Sequence, residues 1–238
     1  MSKRDVVAYW QITSHDVIDG RRGDSNQTSN GMQSEVSQAT HCLALNLASV
    51  VVPLAESNVR EWSISSKDTR GRSRRPITKD GEGNTVGWHF SLSHGNVYSA
   101  IGLSRNRRIG IDIVDRYIGK TQRLHWLFNK HEMAWINENT DHETIRSKDL
   151  NSLLIWSAKE AAFKASRIRR FDPSAIHIQT NGKDFSCQIE SIHLRVQVAI
   201  TDRFVMARAS PPHVCWKEVN STHYCSNQLA DSDFLSSQ

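Results

Sequence analysis

The order of secondary-structure patterns along the chain predicts an α+β fold built from two similar halves. Strand-like and helix-like patterns come in blocks, which favours antiparallel sheets over alternating βαβ units. Each half contains a long helical pattern and a set of strand-like runs, which suggests a pseudo-twofold duplication of structure without a sequence repeat. We expect subdomains over residues 1–108 and 109–210, followed by a partly ordered tail over 211–238.

The first part of the N-terminal half predicts a strand, a loop and a helix. Residues 6–12 (VVAYWQI) are apolar and predict the strand, whereas the polar stretch 15–34 predicts a long loop. Residues 35–52 predict a helix, because a serine precedes or opens it and Pro53 follows its end.

The second part of this half predicts a loop and then two strands. Residues 66–87 are rich in glycine and arginine and predict the loop. Residues 89–103 predict two strands about a polar break at 93–96, and a basic turn at 105–108 leads to a short strand at 109–114.

The C-terminal half predicts two helices and then strands. The aromatic-rich stretch 123–137 predicts the first helix. Residues 151–166 predict the second, with Asn151 or Ser152 as its cap and leucine, alanine, glutamate and lysine in its interior. Strand-like runs follow at 175–180, 184–190, 192–200 and 204–209.

Composition limits the class of protein. The chain has 238 residues with a net charge of +5, and its mean hydropathy is −0.52, so we expect no membrane span. The N-terminal sequence contains no signal-peptide core, so we expect a cytoplasmic protein with four reduced cysteines. Arginines cluster at 70–75, 105–108 and 167–170, which fits a nucleic acid, a phosphorylated small molecule, an acidic protein or a plain solvated surface.

The predicted helix at 151–166 carries one acid and two lysines that could serve a polyphosphate. Trp156, Glu160 and Lys164 are spaced by four residues and share one side of the helix, and Lys159 projects about a quarter-turn away. A carboxylate can bind Mg²⁺ while ammonium groups bind phosphate. An ordinary solvated Glu–Lys pair is the alternative.

Two further features could serve the same chemistry. Asp112 lies between two isoleucines in an apolar strand, where a carboxylate is costly unless it is paired or binds a metal. The alternative is an acid at a strand end, paired with Arg107 or Arg108. Ser93 and His94, in the break between two strands, could bind an anion or form a plain turn; no nucleophile elbow surrounds the serine.

These segments together resemble one family. Phe90–His94 (FSLSH), Gly110–Val114 (GIDIV) and Trp156–Lys164 (WSAKEAAFK) are similar, in this order, to the three signature motifs of 4′-phosphopantetheinyl transferases. Arg75-Pro76 resembles the basic-Pro pair upstream of the first motif. The resemblance spans about residues 60–210, and the length fits the larger, pseudo-dimeric type that activates peptide and polyketide synthetases.

The resemblance implies a reaction and a site. Coenzyme A would lie in a cleft between the two halves, with Mg²⁺ on its pyrophosphate. A serine of an acyl or peptidyl carrier protein would attack the β-phosphate, and 3′,5′-ADP would leave. By the same resemblance Asp112 and Glu160 bind the metal, with Glu160 also a base; Lys159 and Lys164 bind the pyrophosphate; and Arg75, Ser93 and His94 hold coenzyme A phosphates.

The sequence departs from the family pattern at Val114, where many members of the larger type carry a second acid. Asp115 follows on the opposite strand face and is a poor substitute. A catalytically weak relative that binds coenzyme A or a carrier protein is therefore the alternative function, and a basic nucleic-acid-binding protein is a third. We expect a monomer with no nucleic-acid or membrane partner.

His213-x-Cys215 and His223-x-Cys225 could form a zinc site or occur by chance.

Overall fold

The computed structural model describes residues 6–14, 63–67, 73–79, 87–95, 97–105, 107–116, 126–140, 145–166, 168, 170–181 and 184–218. The loop predicted at 15–34 and the helix predicted at 35–52 lie outside these residues. The described part is α+β, as predicted, with strands that pair mainly antiparallel and two helices.

The strands form a four-stranded sheet, a five-stranded sheet and a separate two-stranded ribbon. In chain order the strands are β1 (Val6–Ser14), β2 (Ser63–Lys67), β3 (Ser73–Lys79), β4 (Trp88–His94), β5 (Tyr98–Arg105), β6 (Gly110–Asp115), β7 (His177–Asn181), β8 (Asp184–Ile189), β9 (Ile192–Ile200), β10 (Phe204–Ser210) and β11 (Val214–Glu218). The first sheet has the order β11-β1-β5-β4 and the second has the order β6-β10-β9-β8-β7. The change from the first sheet to the second therefore occurs between β5 and β6.

The prediction of a continuous loop over 66–87 was wrong. Strand β2 ends at Lys67 and pairs antiparallel with β3, with a register shift between Ser65 and Lys67. Backbone hydrogen bonds between two short polar strands do not require the apolar alternation on which the sequence prediction relied.

The C-terminal stretch that was predicted as a tail contributes a strand. β11 pairs parallel with β1, and Val6 lies opposite Val214. The side chain of Val214 is buried and packs with Ile109, which precedes β6. The part of the stretch from 219 to 238 lies outside the described residues.

Both helices differ in their bounds from the prediction. Helix α1 covers Lys130–Glu138 and starts at a capping box, in which Asn129 Oδ1 accepts from Glu132 N and Glu132 Oε2 accepts from Asn129 N, each at 2.9 Å. Helix α2 covers Ile145–Ala165. Asn151 and Ser152 are therefore buried inside α2, and their predicted role as its cap was wrong.

The main core lies between α2 and the second sheet. The buried side chains that form it are Leu127, Phe128, Ile136, Leu153, Leu154, Ile155, Ala158, Ala161, Ala162, Ala165, Ile176, Ile178, Phe185, Cys187, Ile189, Leu194, Val196, Val205, Ala207 and Ala209. The four alanines of α2 allow the helix to approach the sheet closely. No helix in the described ranges is both long enough and apolar enough to cross a membrane.

The two large sheets meet along their edge strands β4 and β6. Ser91 Oγ accepts from Ile111 N at 2.8 Å, and Ser93 Oγ accepts from Ile113 N at 3.2 Å. Because both bonds run in the same order along the two strands, β4 and β6 are parallel at this junction. Serine hydroxyl groups thus satisfy backbone N–H groups of β6 that carbonyl groups would satisfy in an ordinary sheet.

Gly110, at the start of β6, lies directly against helix α2. A Cβ atom at this position would lie 1.8 Å from the carbonyl oxygen of Ala161. We predict that Gly110→Ala lowers the free energy of unfolding by about 3 kcal/mol or more, because helix α2 must move away from the sheet. Urea denaturation followed by circular dichroism measures the change.

Gly102→Ala is the matched control for this prediction. A Cβ atom at Gly102 would come no closer than 3.0 Å to the flexible end of the Ile109 side chain. Equal losses of stability in the two variants would contradict the close approach of α2 to β6.

Candidate functional site

Asp112 is the centre of a polar cluster at the junction of the two sheets. It lies in β6 and is 5% exposed. Its Oδ1 accepts from Ser93 Oγ at 2.7 Å and from Lys164 Nζ at 2.8 Å. Its Oδ2 is buried and has no hydrogen-bond partner among the residues that the structure describes. The alternative of a solvated strand-end acid paired with Arg107 or Arg108 was wrong, because Asp112 is buried and pairs with Lys164.

Lys164 connects α2 to β6. Its Nζ donates to Asp112 Oδ1 and also, at 3.1 Å, to the carbonyl oxygen of Ile111. The side chain remains 25% exposed. These two acceptors use two of the three ammonium hydrogens, so within the described part of the chain a third is available for a ligand oxygen.

Glu160 lies one turn before Lys164 on the same side of α2, as the sequence predicted. Burial raises the pKa of its carboxyl group, and the charge of Asp112 raises it further, whereas Lys164 acts in the opposite direction. The two carboxylates are therefore electrostatically coupled to each other and to Lys164, and the cluster carries excess negative charge when both acids are ionised.

This cluster fits a hard divalent cation. Mg²⁺ binds oxygen ligands and commonly uses one or two carboxylates together with water and substrate phosphates. The buried, unpartnered Oδ2 of Asp112 and the neighbouring carboxylate of Glu160 are such ligands. Across the described ranges no group of three or more histidine, cysteine, aspartate or glutamate side chains is placed to hold a metal ion, so a site here would have at most these two carboxylates.

Val114 lies two residues after Asp112 in β6, at the position of the expected second acid. Its side chain is half-buried and packs against the main core. The next residue, Asp115, serves a different purpose: its Oδ2 accepts from Val97 N at 3.2 Å, in the turn between β4 and β5. Neither residue adds an acid to the Asp112 cluster.

Asp115 also limits which residue can occupy position 95. A Cβ atom on Gly95 would lie 2.5 Å from Asp115 Oδ2, so any larger residue requires the Asp115 side chain to move. The turn is closed by a 2.7 Å hydrogen bond from Gly95 N to Tyr98 O. His94 precedes the turn and is exposed, so its imidazole is accessible to a ligand.

Lys159 does not join the Asp112 cluster. Its side chain is fully buried, and its Nζ forms an ion pair with Glu132 Oε2 at 2.8 Å. The same Nζ donates to the carbonyl oxygens of Pro173 and Ile176, each at 2.8 Å. Three acceptors satisfy the whole ammonium group. Burial lowers the pKa of Lys159, and the ion pair with Glu132 opposes this shift.

Glu132 has a structural role that the sequence analysis missed. Besides capping α1 and pairing with Lys159, its Oε1 accepts from Ile178 N in β7 at 2.9 Å. One buried carboxylate therefore links α1, α2 and the second sheet. The sequence signal was present, because an asparagine followed three residues later by glutamate is a helix-start pattern. Ser91 was also missed, although its spacing of two residues from Ser93 places both on one strand face.

For the remaining predicted residues, the described part of the chain records no contact with the cluster. Trp156 packs edge to face with Phe171, with ring centroids 5.5 Å apart, and so anchors α2 in the core. Arg75 lies in β3, for which only the backbone is described. Of the two His-x-Cys pairs, His213 and Cys215 are exposed, and the pair at 223 and 225 lies outside the described residues.

The cysteines within the described ranges, Cys187 and Cys215, are free thiols. Cys187 lies in the core, where burial raises the pKa of its thiol to about 12. It is therefore unreactive at neutral pH, since the thiolate is the reactive form.

The comparison with protein families adds an independent finding. Residues 108–208 match the model of the 4′-phosphopantetheinyl transferase superfamily. The match covers 101 of the 238 residues, so the similarity to that superfamily is shown for this segment. No curated protein matches the chain significantly. The matched segment contains Asp112, Glu160 and Lys164, and it excludes Ser93 and His94 in β4.

The two lysines of the third motif should respond differently to removal of their charge. We predict that Lys159→Met lowers the free energy of unfolding by about 3–5 kcal/mol, because it leaves the buried carboxylate of Glu132 without its partner. Urea denaturation of the purified variant measures this loss.

Lys164→Met is the control on the same helix. Its loss of stability should be smaller, because the Lys164 side chain is partly exposed and Asp112 keeps the hydrogen bond from Ser93. Equal losses of unfolding free energy in the two variants would show that the buried Lys159–Glu132 pair stabilises the protein no more than the partly exposed Lys164–Asp112 pair does.

Proposed function

We propose that this protein transfers the 4′-phosphopantetheine group of coenzyme A to a serine hydroxyl of an acyl or peptidyl carrier protein, with Mg²⁺ as cofactor. The match of residues 108–208 to the superfamily supports phosphopantetheinyl transfer in general terms. The observation that carries the more specific proposal is the unpartnered Oδ2 of the buried Asp112, whose charge also acts on Glu160, with Lys164 bound to the other oxygen.

In this proposal Asp112 and Glu160 hold Mg²⁺, which supplies positive charge to the pyrophosphate of coenzyme A. The ammonium group of Lys164 lies 2.8 Å from Asp112 Oδ1, so it would add a second positive charge near the pyrophosphate. Its available N–H would bind a phosphate oxygen and stabilise the charge that develops on the leaving group.

The reaction exchanges one phosphorus–oxygen bond for another. The carrier serine oxygen forms a bond to the β-phosphorus, and the bond from that phosphorus to the bridging oxygen breaks, releasing 3′,5′-ADP. The serine proton must pass to a base. Glu160 is the proposed acceptor, directly or through water, by the resemblance of its motif to that of the family.

His94 and Arg75 are the proposed contacts to the 3′-phosphate of coenzyme A. His94 is exposed at the end of β4, and β3, which carries Arg75, lies against β4. Ser93 and Lys159, which the sequence analysis also assigned to phosphates, are engaged by protein groups instead. We therefore propose structural roles for Ser93 and Lys159 in place of phosphate binding.

The finer classification is also part of the proposal. We propose a cleft for coenzyme A at the junction of the two sheets, as in the larger, pseudo-dimeric type that acts on carrier proteins of peptide and polyketide synthetases, and we propose that the protein is a monomer. The basic net charge favours encounter with an acidic partner. We propose that the protein acts in the cytoplasm, with residues 1–108 and 109–210 as its two subdomains.

One observation favours a second candidate, a relative that binds coenzyme A or a carrier protein with weak turnover. Val114 packs against the core where many enzymes of the larger type carry an acid. Such a site has fewer protein ligands for Mg²⁺ and would bind the metal less tightly.

Intact mass spectrometry distinguishes these candidates. Apo forms of several acyl and peptidyl carrier proteins are incubated with the protein, coenzyme A and Mg²⁺. We predict that a carrier gains the mass of one phosphopantetheine group and that EDTA abolishes the gain. Detectable binding of coenzyme A without any mass gain on these carriers would support the weakly active relative.

Substitutions in the cluster test the assignment of residues. We predict that Asp112→Asn and Glu160→Gln each reduce the rate of transfer by about 100-fold or more, because each removes a charged ligand or the proton acceptor. Asp202→Asn is the matched control, since the Asp202 side chain is 87% exposed. Rates equal to that of the control would reject the site.

A further inference from the structure

We propose that Ser93 is a positioning residue for Asp112: its hydroxyl group holds Oδ1 of the carboxylate so that Oδ2 stays directed at the cation. The inference rests on the proposed Mg²⁺ site. It differs from the phosphate-binding role that the sequence suggested for this serine.

The hydrogen-bond geometry at Ser93 fixes the direction of its proton. Ser93 Oγ accepts from Ile113 N at 3.2 Å and lies 2.7 Å from Asp112 Oδ1. The backbone N–H group occupies one lone pair of the hydroxyl oxygen, so the hydroxyl hydrogen points to the carboxylate. Ser93 is 7% exposed, and water therefore competes little for either bond.

Two donors on one oxygen make the carboxylate asymmetric. Ser93 Oγ and Lys164 Nζ both donate to Oδ1, whereas Oδ2 is buried without a partner in the described part of the chain. Rotating the carboxyl group would break both bonds. The arrangement therefore selects which oxygen is available as a metal ligand.

The two donors differ in how firmly they are held. Lys164 has a long side chain that is 25% exposed, and it can turn toward a substrate phosphate. Ser93 has a short side chain on β4, which is paired with β5, and it cannot follow such a movement. When Lys164 binds substrate, Ser93 still satisfies Oδ1 and keeps Asp112 in place.

Ser91 provides a matched control inside the same strand. Its hydroxyl accepts from Ile111 N at 2.8 Å, which reproduces the contact of Ser93 with β6. It makes no bond to Asp112. Ser91→Ala and Ser93→Ala each leave one backbone N–H group of β6 unsatisfied, but only Ser93→Ala also frees the carboxylate.

The test measures binding of Mn²⁺, a spectroscopic substitute for Mg²⁺, by electron paramagnetic resonance, with and without saturating coenzyme A. We expect Ser93→Ala to weaken binding by about 10-fold or more relative to Ser91→Ala, a typical effect of removing a partner of a metal ligand. The urea midpoints of the two variants should fall by similar amounts. Ser93→Thr, which retains the hydroxyl group, should restore binding.

Equal Mn²⁺ affinities of Ser91→Ala and Ser93→Ala would overturn the inference, as would a wild-type protein that binds no Mn²⁺. If Ser93→Ala does not fold, Ser93→Cys replaces it, because a thiol is a weaker hydrogen-bond donor and acceptor. Transfer to carrier proteins is measured separately. A wild-type protein that binds Mn²⁺ through Asp112 in this serine-dependent way, but transfers nothing, would reject the proposed function and leave the role of Ser93 standing.

Discussion

The hydrogen bonds from the backbone of β6 to the hydroxyl groups of Ser91 and Ser93 are the contacts on which the site depends. An edge strand that is buried needs partners for its N–H groups, and here a second sheet supplies them from side chains. Since the serines are on the face of β4 that meets β6, this contact also brings Ser93 to Asp112. The joining of the sheets and the arrangement of the acid are therefore one structural feature.

The side chains on the face of β6 opposite Asp112 hold the strand in place through apolar contacts. Ile111 and Ile113 are buried in a small apolar cluster with Tyr98 and Ala100 of β5 and Met206 of β10. Hydrophobic contact thus holds β6 between the two sheets, while hydrogen bonds set its register. Asp112 cannot turn to solvent without removing both isoleucines from this cluster, so its burial follows from its neighbours.

Helix α2 separates two charged systems whose lysines lie five residues apart along the helix. Lys164 faces β6 and pairs with the partly exposed Asp112 cluster. Lys159 faces the interior and pairs with Glu132, which in turn holds α1 and β7. The buried pair determines how the helix is rotated, because an ammonium group with three protein acceptors has no freedom to move. That rotation places Glu160 and Lys164 beside β6, and the absence of a side chain at Gly110 lets the helix come close enough for contact.

The sequence by itself determined the α+β class and most strands, because these follow from periodicity, and it placed Glu160 and Lys164 on one side of a helix through their spacing of four residues. Asp112 lies 48 positions before Glu160, and only the resemblance of the three motifs to a known family grouped it with them. It did not determine the β2–β3 ribbon or the start of α2, since polar strands and uncapped helix ends leave weak local signals. Only the tertiary structure decided that Lys159 and Ser93 turn to protein partners, and that Glu132 joins three elements. Such assignments depend on contacts between residues that are 14 to 46 positions apart in the chain, and no local sequence pattern encodes these contacts.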